Sequence, residues 1–262
     1  MDVLYRLDKQ ERMEIFTFAL RKGGTGKSTS AWAVGHCLAQ AGHRVLLIDA
    51  DGQANLTRCL PAVAPDKGLT RVIDHKATLL EVMQPVGPNL WLVAADESLV
   101  VAEKGLGADL AYPLLFKKAL KNLAAHIDYV LIDSPPSPNS PLTVAALTAS
   151  TKVYVPAQPE LFSFDGVNSL LELVTKIQDS YNPELEVGGI FLTKYAATYR
   201  KGLHHQFVKR MRDQFGPLIM HTTIRDNVAI PEAQVQRRPL HETAPGSNAQ
   251  LDYQALTQEI LA

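Results

Sequence analysis

The sequence predicts an α/β fold, a mostly parallel twisted sheet with helices on both faces. Three observations carry that expectation. Short β-rich apolar runs recur along the chain, helix-like segments alternate with them, and a loop dense in glycine and lysine joins the first run to the first helix. Strands alternating with helices give βαβ units. A sheet built from such units is covered on both sides, so its strands read as continuous apolar runs.

The elements follow in order. After a polar leader over residues 1–14, IFTFAL (15–20) is the first strand, and RKGGTGKSTS breaks it with three glycines. AWAVGHCLAQAG (31–42) is a mostly apolar helix with Gly42 as its stop signal. VLLIDA (45–50), LWLVAA (90–95), YVLIDS (129–134), KVYVPA (152–157) and VGGIFLT (187–193) are further buried-type strands. Helix-like segments lie at 115–124, from Gly166 (GVNSLLELVTKIQ) and from Gly202 (GLHHQFVKRMRDQF). The stretch 61–88, rich in Pro and Gly, reads as loop. With no linker and no repeat in view, residues 1–262 are expected to form a single domain.

Composition narrows the function classes. The 262 residues carry 26 Lys+Arg against 27 Asp+Glu, a formal net charge of −1, so bulk attraction to polyanions is excluded and any nucleic-acid contact must come from a local basic patch. Two cysteines, Cys37 and Cys59, exclude a disulfide framework and fit a reducing, cytosolic compartment. No run approaches the ~18 apolar residues of a membrane span.

The strongest motif is Lys22-Gly23-Gly24-Thr25-Gly26-Lys27-Ser28-Thr29, set between a strand and a helix. Glycines let backbone N–H groups converge on phosphate oxygens, and the following helix directs its positive end at them. Lys27 is placed to reach the β- and γ-phosphates of ATP, and the Ser28 hydroxyl to ligate Mg²⁺. The chain is thus expected to be a P-loop nucleotide-binding protein. The usual first glycine of such a loop is Arg21 here, and a second lysine, Lys22, opens the loop.

That lysine carries a resemblance. K-G-G-T-G-K-S is similar to the hallmark of the ParA/MinD-type deviant Walker A ATPases, in particular the small ParA partition ATPases without an N-terminal helix-turn-helix domain. The resemblance implies that Lys22 crosses an ATP-dependent dimer interface to the partner's phosphates. Asp49-Ala50-Asp51-Gly52-Gln53 resembles the family's D-x-D-P-Q, which implies that Asp49 orients Mg²⁺-bound water and Asp51 the attacking water. Gly52 stands where the family has proline, so this segment is expected to be looser. Without the resemblance, Asp51 reads equally as the cap of the next turn. Asp133 closes an apolar strand as a Walker B acid does and is expected at Mg²⁺. Ser134-Pro135-Pro136-Ser137 resembles switch II, and Thr193 lies in what looks like the adenine-side strand and loop.

Farther along, residues 155–170 resemble P-x-Q-P-E followed by a helix, and 224–233 resemble I-P-R-N-V-x-x-x-E-A. Between Lys194 and Arg212 lie Lys194, Arg200, Lys201, Lys209, Arg210 and Arg212 with no acid among them. On a helix from Gly202, Lys201, His205, Lys209 and Arg212 share one stripe, interleaved with Tyr195 and Tyr199, and such a stripe can grip phosphates without reading sequence. In ParA relatives this region binds DNA, although Asp226 and Ala229 stand where the family is often basic. The C-terminal helix LDYQALTQEILA has no Lys or Arg, so a MinD-like membrane anchor is not expected.

The expected function is that of a ParA-like partition ATPase. It forms an ATP-dependent homodimer, binds DNA non-specifically on the nucleoid, and hydrolyses ATP slowly under stimulation by a centromere-binding adaptor. The rival expectation keeps the same dimer switch but positions a protein cluster or acts at a cell pole, without DNA.

Overall fold

The computed structural model describes residues 13–64, 67–137, 139–199 and 202–262. β1 (Glu14–Phe18) leads through the glycine loop into α1 (Lys27–Gln40), which returns to β2 (Val45–Asp49). α2 (Asn55–Arg58), α3 (Leu69–Ile73) and α4 (Leu79–Val82) precede a hairpin of β3 (Gln84–Gly87) and β4 (Leu90–Val93). Next come α5 (Ser98–Leu106), α6 (Leu115–Ala119), β5 (Tyr129–Asp133), α7 (Pro141–Ala149), β6 (Lys152–Ala157) and α8 (Leu161–Ser180). The chain ends with β7 (Glu186–Thr193), α9 (Gly202–Phe215), β8 (Ile219–Ile224), α10 (Ala229–Gln236), α11 (Leu240–Thr243) and α12 (Asn248–Leu261).

Among the described residues the strands form one eight-stranded sheet in the order β3-β4-β2-β5-β1-β6-β7-β8. Its neighbouring pairs are parallel except β3 with β4. The apolar runs are buried on both faces with a period of two. Val45 and Leu47 pack beneath α1 and α12, while Leu46 and Ile48 face α3 to α7. Farther along the sheet, Val153 and Val155 join α8 and α9 in a third cluster. The apolar face of α12 (Ala249, Tyr253, Leu256, Ile260) is buried in the same core as α1. Among the described residues no helix is long and apolar enough to cross a membrane.

The α/β expectation holds, and six strands lie where the apolar runs stand. The structure also adds elements. β3 carries Pro85 on the sheet edge, and β8, IMHTTI, is the opposite edge with a polar outer side, so neither forms an apolar run. α7 is buried all round and shows no helical period. Its start is marked instead by Ser140, whose hydroxyl accepts from Leu142 N and Thr143 N, and by Pro141 in the first turn. The segment 61–88, read as loop, holds α3, α4 and β3. The helix expected over 115–124 is shortened to Leu115–Ala119. The leader ends before residue 14: Glu14 belongs to β1 and pairs with Tyr129, and Met13 packs on the core.

Topology fixes where a ligand can sit. β1 lies between β5 and β6. The connection after β1 leads to one side of the sheet, and the connection after β5 crosses to the other. Parallel sheets bind ligands outside the carboxyl ends of the strands at such a divergence. Register then aligns Phe18 with Asp133, and Asp133 with Asp49, at that edge.

Candidate functional site

The loop from Lys22 to Thr29 sits over the carboxyl end of β1. Gly24 and Gly26 have φ of 73° and 104°, the left-handed region that favours glycine. Gly26 immediately precedes α1, and no side chain caps that helix, so its leading N–H groups are left for a ligand. Open space lies where a Cβ would stand on Gly23 and Gly24. Above them is a cleft of about 980 Å³, lined by the loop together with Asp51, Thr193 and residues of α10.

The loop is tied down from the β6 and β7 side. Gln158 Nε2 donates to Gly24 O at 2.7 Å, Thr193 Oγ1 donates to Thr25 O at 2.8 Å, and Lys22 Nζ pairs with Glu160. Thr193, expected beside the nucleotide, does line the cleft, but its hydroxyl is committed to the loop backbone. Lys27 is buried, with Nζ donating to Lys22 O at 3.3 Å. Burial lowers its pKa, opposed by the charges of Asp133 and Asp51.

Asp49 and Asp133 are both fully buried neighbours in register. Asp49 Oδ2 accepts from Thr57 N (2.8 Å) and Thr57 Oγ1 (2.7 Å), and Oδ1 accepts from Asp51 N (3.2 Å). Burial pushes its pKa up to about 6 despite these bonds. Neither oxygen of Asp133 accepts a hydrogen bond of good geometry, although the Ser28 hydroxyl stands near. Its carboxyl lies well above the usual range, first through burial and then through the charge of Asp49; the Ser28 hydroxyl and Lys27 counter this only in part.

An ionised carboxylate buried without partners is costly, and a divalent cation compensates it. Asp133, Asp49 and the Ser28 hydroxyl therefore fit a hard cation. Among the described residues no cluster of three His, Cys, Asp or Glu forms a metal cage. Mg²⁺ takes one or two carboxylates and completes its shell with phosphate and water, a requirement that two acids beside an open glycine loop fit.

Asp51 caps the next turn, its Oδ1 accepting from Gln53 N at 3.0 Å, and stands on the cleft wall. The expected looseness at Gly52 is corrected by packing: a Cβ there would lie 2.5 Å from Val100 Cγ2 and 3.4 Å from Val100 N. Val100 of α5 lies against the turn, so a side chain at position 52 requires the exposed Val100 side chain to shift.

The basic stripe is narrower than expected. Lys194, Lys209 and Arg212 are exposed, while Arg200 and Lys201 lie outside the described residues. Lys194 lines the cleft and precedes α9. His205 is part-buried, bridging Tyr195 OH (3.0 Å) and Tyr199 O (2.6 Å), and Tyr195 is itself buried. These aromatics brace α9 and leave the stripe to its cations. Sequence reasoning assigned no role to Gln158, Glu160 or Thr57, nor to Arg58 and Arg237 at the cleft. Gln158 and Glu160 act on partners more than a hundred residues away, and only the P-x-Q-P-E likeness hinted at them.

Comparison with known proteins agrees with this geometry. A family model described as an AAA domain matches residues 13–187. The chromosome partitioning protein ParA of Caulobacter vibrioides is 36% identical over 241 residues, 87% of this chain and 86% of that protein. The sporulation initiation inhibitor protein Soj of Bacillus subtilis is 31% identical over 252 residues, 95% of this chain and 98% of that protein. Among solved structures, cobyrinic acid a,c-diamide synthase from Mycobacterium smegmatis with bound ADP and magnesium superposes with a TM-score of 0.81. It is 26% identical, with 95% of this chain and 94% of that one covered.

Two outcomes test this description. Asp133→Asn removes a buried carboxylate that Lys27 and Ser28 compensate only in part, so it should raise the melting temperature of the nucleotide-free protein by roughly 2–8 °C at pH 7.5. Because both folded-state pKa values are raised, that of Asp49 to about 6, wild-type stability should increase as pH falls toward the ordinary 3.8, and the variant's advantage should shrink as Asp133 takes up its proton. Identical melting curves at both pH values would show Asp133 to be compensated already. Separately, Gly52→Ala should destabilise the fold by at most about 1 kcal/mol, because the exposed Val100 side chain can turn away, and adding Val100→Ala should restore most of it. Chemical denaturation of the single and double variants measures both.

Proposed function

This chain belongs to the ParA/MinD-type P-loop ATPases, and from that premise we propose that it is an ATP-driven partition protein that dimerises on ATP and binds DNA without sequence preference. The observation that carries the nucleotide part is the open glycine loop beside a buried, unpartnered Asp133. Lys27 meets the β- and γ-phosphates, and the N–H groups at the start of α1 receive their oxygens. Ser28, Asp49 and Asp133 hold Mg²⁺, which when bound offsets the phosphate charge that builds up during transfer. Asp51, on the cleft wall, orients the attacking water. Hydrolysis is slow until a centromere-binding adaptor stimulates it.

Lys22 is proposed to act on the nucleotide of a second copy. Within one chain it pairs with Glu160, so dimerisation exchanges that carboxylate for phosphate. The proposed DNA face is Lys209 and Arg212 on α9, joined by Lys194 and by Arg200 and Lys201. Two such faces on one duplex place the ATP dimer on the nucleoid. The rival, a positioning ATPase without DNA, draws support from the burial of Tyr195, from its bond to the part-buried His205, and from the acid at Asp226.

Lys27→Ala should weaken ATP binding about tenfold to hundredfold, because a charged hydrogen bond to phosphate is worth roughly 1.5–3 kcal/mol. Isothermal titration that gives equal affinities would remove Lys27 from the site. In sedimentation with ATP, Asp51→Ala should accumulate as a dimer and Lys22→Ala should bind nucleotide without completing the partner's site. A monomeric Asp51 variant, or a fully active Lys22 variant, contradicts those roles. For DNA, anisotropy of a random duplex with ATP present should fall with salt. If a dimer makes about six phosphate contacts, the log–log slope should be roughly −5. Lys209→Glu with Arg212→Glu should abolish binding and leave dimerisation intact. A wild-type dimer that ignores DNA even at low salt favours the rival.

A further inference from the structure

We infer that Thr57 is a positioning residue for the cation site, fixing Asp49 and tying it to the end of β4. The inference rests on the ATPase reading above and adds a residue to it. Thr57 approaches a single oxygen of Asp49 with two donors, its N–H at 2.8 Å and its hydroxyl at 2.7 Å. The same hydroxyl accepts from Ala95 N at 3.0 Å. A backbone N–H can only donate, so the Thr57 oxygen must accept there and its proton is left for Asp49. The three groups form a directed chain from Ala95 N–H through the Thr57 hydroxyl to the Asp49 carboxylate.

Two consequences follow. Asp49 Oδ2 is saturated by Thr57, whereas Oδ1 carries one longer bond, 3.2 Å from Asp51 N. Oδ1 is therefore the oxygen with capacity for a cation or its bound water. The segment just after β4 also meets the Asp49–Gln53 turn a second time, where Val100 presses on Gly52. Thr57 and Val100 together join the metal carboxylate to the start of α5.

Partners that orient a metal-binding carboxylate change metal affinity about tenfold to hundredfold when removed. Thr57→Val keeps the N–H bond and the shape of the side chain but deletes the hydroxyl. Its half-saturating Mg²⁺ concentration should rise about tenfold or more. The readout is anisotropy of a fluorescent ATP analogue bound to the full chain across a Mg²⁺ titration, which needs no turnover. At saturating Mg²⁺ the variant should bind the analogue as tightly as wild type does, and Thr57→Ser should restore the wild-type midpoint.

A valine variant with the wild-type Mg²⁺ requirement, or a serine variant as impaired as valine, overturns the role of the hydroxyl. If valine disturbs the turn so that saturating Mg²⁺ does not restore binding, Thr57→Ala repeats the comparison without added bulk, under the same criterion. A wild-type chain that binds no analogue at any Mg²⁺ concentration overturns the ATPase reading itself, which separates the two failures.

Discussion

Asp49 and Asp133 stand side by side at the carboxyl ends of β2 and β5, fully buried from bulk solvent. Their adjacency follows from the sheet. Parallel strands in register end at one level, and an acid closing each of two neighbours must meet the other. Their surroundings read as partial compensation. Thr57 and Asp51 give N–H and O–H donors to Asp49, and Lys27 is buried next to Asp133 although burial disfavours its charge. What compensation remains is missing at Asp133, and it is missing where the glycine loop leaves room for a ligand.

The two halves of the sheet contribute different things to that place. From β2, β4 and β5 come the acids and the groups that orient them. From β6 and β7 come Gln158, Glu160 and Thr193, which hold the loop backbone in shape. β1 lies between the halves and presents the loop to both. Phosphate recognition by backbone N–H groups depends on their mutual orientation, so the loop restraints matter as much as the residues that would touch phosphate. An element on one side can therefore alter the site without reaching the ligand.

The parts legible in the sequence were those with local causes. Strands buried on both faces must be apolar throughout, so six of them showed plainly. The loop and its acids are contiguous motifs, and their residues converge as expected. Edge strands escaped because one side of each faces solvent or carries proline, as in β3 and β8. α7 escaped because burial all round erases the helical period. Thr57, Gln158 and Glu160 escaped for another reason: each acts on a partner fixed by the tertiary fold. Gly52 shows the same limit in reverse. Read locally, glycine for proline means freedom, yet Val100, far along the chain, fills the space a side chain would need. His205 looked like part of a cationic stripe until its ring met Tyr195 and Tyr199.

Lys22 is the residue whose surroundings and proposed role differ most. Its ion pair with Glu160 leaves the two side chains 32% and 42% exposed. Pairs that open to solvent are worth roughly 0–1 kcal/mol, whereas a lysine hydrogen bond to phosphate is worth roughly 1.5–3 kcal/mol. The intramolecular pair is therefore a weak competitor for the proposed contact across a dimer. It holds a long, flexible side chain near the loop in the single chain, and in the proposed dimer it would release that side chain at small cost. Glu160 immediately precedes α8, and Gln158, two residues earlier, grips the loop. The segment that stores the lysine also shapes the loop from which the lysine projects, so exchange of its partner needs a side-chain movement and no rearrangement of the sheet.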